Sequence, residues 1–241
     1  LISFYYKRAL PQETMIDVNK KILKLTDDGI QVHNSILWLD SKTNGKLSFI
    51  SSALECPKKI VPQIIATEAT LKISRHLGRS TKALVCQYNR PFSLGKSSLE
   101  LLPSGTLLGG SSLLLEHEKK RFLYAPQLTL YKSELDRKTQ FREADILIIK
   151  ASHPINSRTA ISHRKEFEKL GNIALTCLKK GITPIFLCPL LPTAPELTLN
   201  FSKMGIPLSV HRDIYKINKL YESYGATLGD YNLIFSPKSQ K

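Results

Sequence analysis

Between residue 30 and about residue 125 the apolar positions fall in short runs separated by turn residues, a pattern that predicts strands. The predicted strands are Ile30–His33, Ile36–Leu39, Leu47–Ser51, Gln63–Ala66, Ala83–Tyr88, Ser98–Leu102, Ser111–Glu116 and Arg121–Tyr124. The turns "SKTNGK" and "EHEKKR" predict hairpins between their flanking strands. One helix interrupts the series, with Thr67 as its cap, Glu68 at its positive end and Gly78 as its stop.

After about residue 145 the pattern alternates between strand and helix. "DILIIKAS" reads as a buried strand, and "SHRKEFEKLGNIALTCLKKG" places Phe167, Leu170, Ile173, Ala174, Cys177 and Leu178 at helical spacing. "ITPIFLCPL" is the next predicted strand, "APELTLNFSKMG" a short helix and "IPLSV" another strand. The helix "RDIYKINKLYESYG" follows, with Ile214, Ile217, Tyr221 and Tyr224 on one face as core residues. This order predicts an α/β chain in four parts: a basic lead-in over 1–28, a β-rich domain over 29–150, an α/β unit over 151–235 and a tail over 236–241.

Charge changes this picture most. Over 241 residues, 35 Lys and Arg face 20 Asp and Glu, a net charge of +15 that favours anionic partners, nucleic acid first. A hydrophobic share of 42% excludes wholesale disorder, and no apolar run is long enough to span a bilayer. Four cysteines without regular spacing read as reduced thiols of an intracellular protein. The chain begins with leucine, for which a removed transit peptide is one explanation.

Strand-to-loop junctions are where such folds place their chemistry, because a rigid strand aims the first loop residues. At these junctions the sequence resembles metallo-β-lactamase-fold nucleases of the β-CASP branch, in particular exonucleases associated with DNA ligase and mRNA 3′-end-processing factors. "ILWLD" ends in Asp40 as an early strand of that family does, and "ATEAT" is intact at Ala66–Thr70. "NRPFSLGKSSLELLPSGTLLGGSSLLLE", "LYAPQL" and "DILIIKASHP" follow further family segments, as does the stretch from "GITPIFLCPL" to "YGATLGDY". The resemblance implies an αββα sandwich with a β-CASP-like α/β unit, truncated before the family's last histidine ligand.

It also implies that the metal ligands have been replaced. The positions of the family's HxHxDH loop fall on Ser52, Leu54, Cys56 and Pro57. The later histidine falls on Thr106, the metal-bridging aspartate on Gln127, and a further acidic position on Lys150. A binuclear zinc site needs several imidazoles and carboxylates to lower the pKa of bound water to about 7. Of the implied set only Asp40 and, at best, a Cys56 thiolate could serve, so neither catalytic residues nor a metal cofactor are expected.

The histidines offer no substitute, since none falls in HxH or HxxxH spacing. His211 reads as a structural histidine or a phosphate contact, and His153 with Lys150 as a candidate anion site. The glycines Gly105, Gly109 and Gly110 read as turn residues, because no helix N-terminus follows them. Candidate nucleic-acid contacts are Lys58, Lys59, Arg75, Arg79, Lys82, Lys119, Lys120, Arg121 and Lys150.

The expected function is that of a pseudo-enzyme: an RNA-contacting structural subunit among other proteins of a ribonucleoprotein, a mitochondrial ribosome being one such particle. Neither a membrane nor a small-molecule substrate is expected. The alternatives are a non-catalytic partner of an active β-CASP nuclease, or a residual nuclease with an altered site.

Overall fold

The computed structural model describes residues 2–5, 23–26, 28–41, 47–58, 63–79, 82–129, 133–150 and 163–234. The chain divides into two compact units, 1–154 and 155–241.

The first unit holds two six-stranded sheets. One sheet contains β2 (Leu23–Thr26), β3 (Gly29–Val32), β4 (Leu37–Leu39), β5 (Leu47–Phe49), β6 (Ile64–Ala66) and β7 (Ala83–Val85), in that order. The other contains β1 (Ile2–Tyr5), β8 (Phe92–Leu94), β9 (Ser97–Pro103), β10 (Ser111–His117), β11 (Lys120–Ala125) and β12 (Ile146–Lys150). Its order is β1-β12-β11-β10-β9-β8. Residues expected as a lead-in therefore contribute two strands, β1 and β2.

Both sheets are mixed. Antiparallel pairing joins β2, β3 and β4, and parallel pairing joins β4 through β7. The hairpin expected at "SKTNGK" is not formed, because β4 and β5 pair in parallel, Leu37 opposite Leu47. The chain must return to the start of the strand, and Asp40 begins that return at a φ of 46°. The hairpin expected at "EHEKKR" is present: His117 pairs with Lys120 around Glu118 and Lys119, both at positive φ.

Apolar residues of the two sheets meet in one core. Val32, Leu37, Leu39, Leu47, Phe49 and Ile65 from the first pack with Leu99, Leu101, Leu113, Leu115, Phe122 and Tyr124 from the second. Period-2 alternation fills this layer from alternate positions of each strand. On the far side of the first sheet, Ile50, Cys56, Ile64 and Ala66 pack with Leu71 of α1 (Glu68–His76).

Helix α1 is fixed by its first turn. The Thr67 side chain accepts from Thr70 N at 3.2 Å, and both threonine hydroxyls donate to the Gly109 carbonyl at 2.8 Å. Gly109 lies at φ +82°, and a Cβ there would stand 2.4 Å from Thr70 N. "ATEAT" and "LLGG", distant in sequence, are thus two halves of one contact.

In the second unit, α2 (His163–Lys179) packs on α3 (Thr193–Lys203). Ala174, Leu197, Phe201 and Ile206 form the core there, with Phe167, Leu170, Phe186 and Met204 against them. The helices approach closely at Gly171, where a Cβ would meet Met204 Sδ at 2.3 Å. Two expected core positions of α2 face outward instead: Ile173 is 55% and Leu178 36% exposed.

"ITPIFLCPL" forms no strand. Phe186 and Cys188 turn inward, Ile185 and Leu187 outward, as in an extended chain, but Pro184 and Pro189 supply no N–H to a ladder. "IPLSV" is reduced to β13 (Ser209–Val210), paired in parallel with β14 (Asn232–Leu233). Helix α4 (Arg212–Ser223) buries Ile217 and Tyr221 as expected, while Tyr224 at its end is 37% exposed. The chain is therefore α/β. Among the described residues no helix is long and apolar enough to cross a membrane.

Gly109→Ala is expected to lower stability by about 3 kcal/mol or more, since it adds a left-handed strain to a contact with backbone. Gly95→Ala, at φ +59° with nothing within 4 Å of the added Cβ, should cost only about 1 kcal/mol. Urea denaturation of both variants checks the contrast.

Candidate functional site

The first strand-to-loop junction is held from both sides. Beyond β5, Ser51 accepts a backbone bond from Ser111 N at 2.7 Å, and Ala53, Cys56 and Pro57 are buried. One Nη of Arg79 donates to the carbonyls of Ala53 (2.8 Å), Leu54 (3.1 Å) and Cys56 (2.6 Å). Arg79, one of the expected nucleic-acid contacts, shapes this loop. Ser52 is 1% exposed and its Oγ has no partner among the described residues. Leu54 points outward at 42% exposure, and burial pushes the Cys56 thiol up.

Asp40 stands at the end of β4. Its Oδ1 accepts from Ser51 N at 2.8 Å, and its Oδ2 from Ser51 Oγ at 2.7 Å and Tyr124 OH at 2.9 Å. Burial raises its pKa to about 6, against these hydrogen bonds, which lower it; the nearby Glu55 charge adds to the rise. Burial and the Asp40 charge drive Tyr124 well above the usual phenol range.

A second polar group adjoins it. Glu55 Oε1 accepts from Gln127 Nε2 at 3.0 Å and from Lys150 Nζ at 3.3 Å. The ends of β11 and β12 are thereby drawn to the β5 loop. Of the expected positions, the structure links Gln127 and Lys150 to this loop through Glu55. Thr106 is not bonded to them; its Oγ1 lies 2.9 Å from Ser104 Oγ within the β9–β10 loop. Tyr88 OH closes that loop from outside by donating to Gly110 O at 2.8 Å.

This arrangement does not fit a pair of zinc ions. Leu54 and Pro57 side chains cannot ligate, and Gln127 donates its amide to Glu55. The Lys150 ammonium brings positive charge to the one carboxylate, Glu55, that could have joined Asp40. Among the described residues no group of three or more His, Cys, Asp or Glu converges.

Two histidines have structural roles. His117 is buried, with Nδ1 2.7 Å from Ser97 Oγ and Nε2 3.0 Å from His33 O. His211 caps α4, accepting from Asp213 N at 3.3 Å. His153 and Lys59 lie outside the described residues, so the expected His153–Lys150 anion site has only its lysine described.

Of the other candidate contacts, Lys58, Arg75, Lys82 and Lys119 are exposed, and Lys120 and Arg121 half-buried. In the second unit, Lys219 sits 5.4 and 5.2 Å from the ring centres of Tyr215 and Tyr231 and 2.8 Å from Glu222. Glu55, Ser51 and Tyr124 were not singled out by the sequence reading. The glutamate directly before Cys56 was the available signal.

No family model and no curated protein matches the chain. Among solved structures it is similar to a protein of unknown function from Enterococcus faecalis V583, at 15% identity and a TM-score of 0.51. The match covers 79% of this chain and 51% of the other, so the chain spans about half the length of that structure. At this identity the likeness concerns the fold alone.

The unfolded Asp40 carboxyl ionises near 3.8, whereas the folded one keeps its proton to about 6. The stability it contributes below pH 4 is therefore lost as pH rises through 6, by on the order of 3 kcal/mol. Asp40→Asn keeps a neutral group at a left-handed position that asparagine tolerates. Relative to wild type, it should gain that amount between pH 4 and pH 7 in urea titrations.

Proposed function

We propose that this chain is a catalytically inactive relative of metallo-β-lactamase-fold nucleases that serves as an RNA-contacting structural subunit of a ribonucleoprotein, such as a mitochondrial ribosome. On this reading the two-sheet unit is an αββα sandwich and the second unit is β-CASP-like. The observation that carries it is the Lys150–Glu55–Gln127 cluster, 3.3 and 3.0 Å apart, where a hydrolase of this type would gather metal ligands. The surrounding contacts of Gly109, Thr67 and Arg79 are those of a scaffold kept in order. What remains available for a partner is positive charge.

Exposed cations are dispersed over the first unit, among them Lys58 on the β5 loop, Arg75 on α1 and Lys119 at a hairpin tip. Each cation that neutralises a phosphate releases a counterion, so log affinity for RNA should fall linearly with log salt. Replacing Lys119, Lys120 and Arg121 with glutamate should weaken binding and flatten that slope without abolishing it. Titrations of structured and single-stranded RNA at three salt concentrations test this. Complete loss of binding on replacing Lys58 and Lys150 alone would place the RNA at the β5 loop and overturn the dispersed reading. Recovery of the native protein in a small complex with an active nuclease, instead of a ribosome-sized particle, would favour the nuclease-partner alternative.

Purified without chelators, the protein should carry well under one zinc per chain by elemental analysis. A reproducible two per chain would overturn the pseudo-enzyme reading.

A further inference from the structure

The sheet that begins at β2 ends at β7, whose outer edge has no strand partner among the described residues. On its inner side the Lys82 carbonyl accepts from Ile64 N at 2.9 Å and Cys86 N donates to Ala66 O at 3.0 Å. A parallel ladder uses alternate residues, so Ala83 and Val85 turn their N–H and C=O groups away from β6. Leu84 and Val85 are 43% and 52% exposed, and as neighbours they face opposite sides of the sheet. Each face therefore has a half-exposed apolar side chain at this edge.

Along the sequence around this strand the charge is one-sided. Residues 69–99 contain Lys72, Arg75, Arg79, Lys82, Arg90 and Lys96 and no Asp or Glu. The acids on either side are engaged, Glu68 with Lys72 at 2.9 Å and Glu100 with Arg142 at 3.1 Å. Lys82, exposed, directly precedes the strand; Arg90, also exposed, follows it by five residues, just past Asn89, whose N–H donates to Leu101 O of the facing sheet at 2.9 Å.

We propose that β7 is a docking edge for an extended acidic segment of a partner protein, which adds to the sheet as a further strand. The segment's backbone pairs with Ala83 and Val85, its apolar side chains cover Leu84 and Val85, and Lys82 and Arg90 meet its carboxylates. Nucleic acid would answer only the last of these features. The strand has no aromatic ring for a base to stack on, and the nearby Tyr88 is engaged by Gly110 and lies under Arg137.

The test uses the full-length, isotope-labelled chain and a synthetic peptide of alternating Glu and Val, with a Lys/Val peptide as control. The acidic peptide should slow amide exchange at Ala83 and Val85 about tenfold or more and leave Leu84, whose amide faces β6, unchanged. Val85→Pro removes an outward donor without touching the inner ladder and should weaken the peptide about tenfold. Lys82→Glu with Arg90→Glu should weaken it comparably, and the Lys/Val peptide should not bind. Unchanged exchange at Ala83 and Val85 in the wild type overturns the proposal, whatever the variants do. So does equal binding by a folded Val85→Pro protein. If a single-stranded RNA oligonucleotide perturbs Lys82 and Arg90 with no protection of Ala83 and Val85, the surface belongs to nucleic acid and the proposal fails.

Discussion

The carboxyl of Asp40 ties together parts of the first unit that no single strand connects. It takes two bonds from Ser51, beyond β5 in its own sheet, and one from Tyr124 on β11 in the facing sheet. Tyr124 also meets Phe49 edge-on at 6.2 Å, so the polar tie sits directly on the apolar layer. The price of this position is desolvation, which three donors only partly offset. Glu55 carries a second tie, to the ends of β11 and β12 through Gln127 and Lys150. With hydrogen bonds and an ammonium group, these two acids gather the loop ends.

Much of the fold was legible where local chemistry and tertiary need agree. Thr67 caps α1 as its residue type suggests, and the hairpin at Glu118–Lys119 follows from its strands' alternation. Strand β8 was missed although "FSLGKSS" carries its own turn, with Gly95 at φ 59° between Leu94 and Ser97. Other errors came from information that is not local. Asn44-Gly45 reads as a tight turn, yet β5 joins β4, and β6 on its other side, in parallel. "ITPIFLCPL" has strand composition, but its prolines withhold donors from any ladder. The site's own contacts were illegible, since the Glu55–Lys150 pair joins residues 95 positions apart.

The count of 35 Lys and Arg overstates the cations free to meet a partner. Arg79 is engaged by loop carbonyls, Arg142 by Glu100 and Asn89, and Lys150 by Glu55. On α2, Arg164 and Lys169 pair with Glu168 and Glu166, although such exposed pairs contribute little stability. Composition counts these groups equally with Lys58 or Lys82, and only their surroundings distinguish them.

The stretch around Ile185 and Leu187, 85% and 96% exposed, has a consequence for handling the protein. Short β-prone segments with open backbone groups seed self-association. Pro184 and Pro189 bracket this one as gatekeepers, leaving too few consecutive donors to template a long cross-β stack. Replacing either proline to improve the local strand would thus trade solubility for regularity.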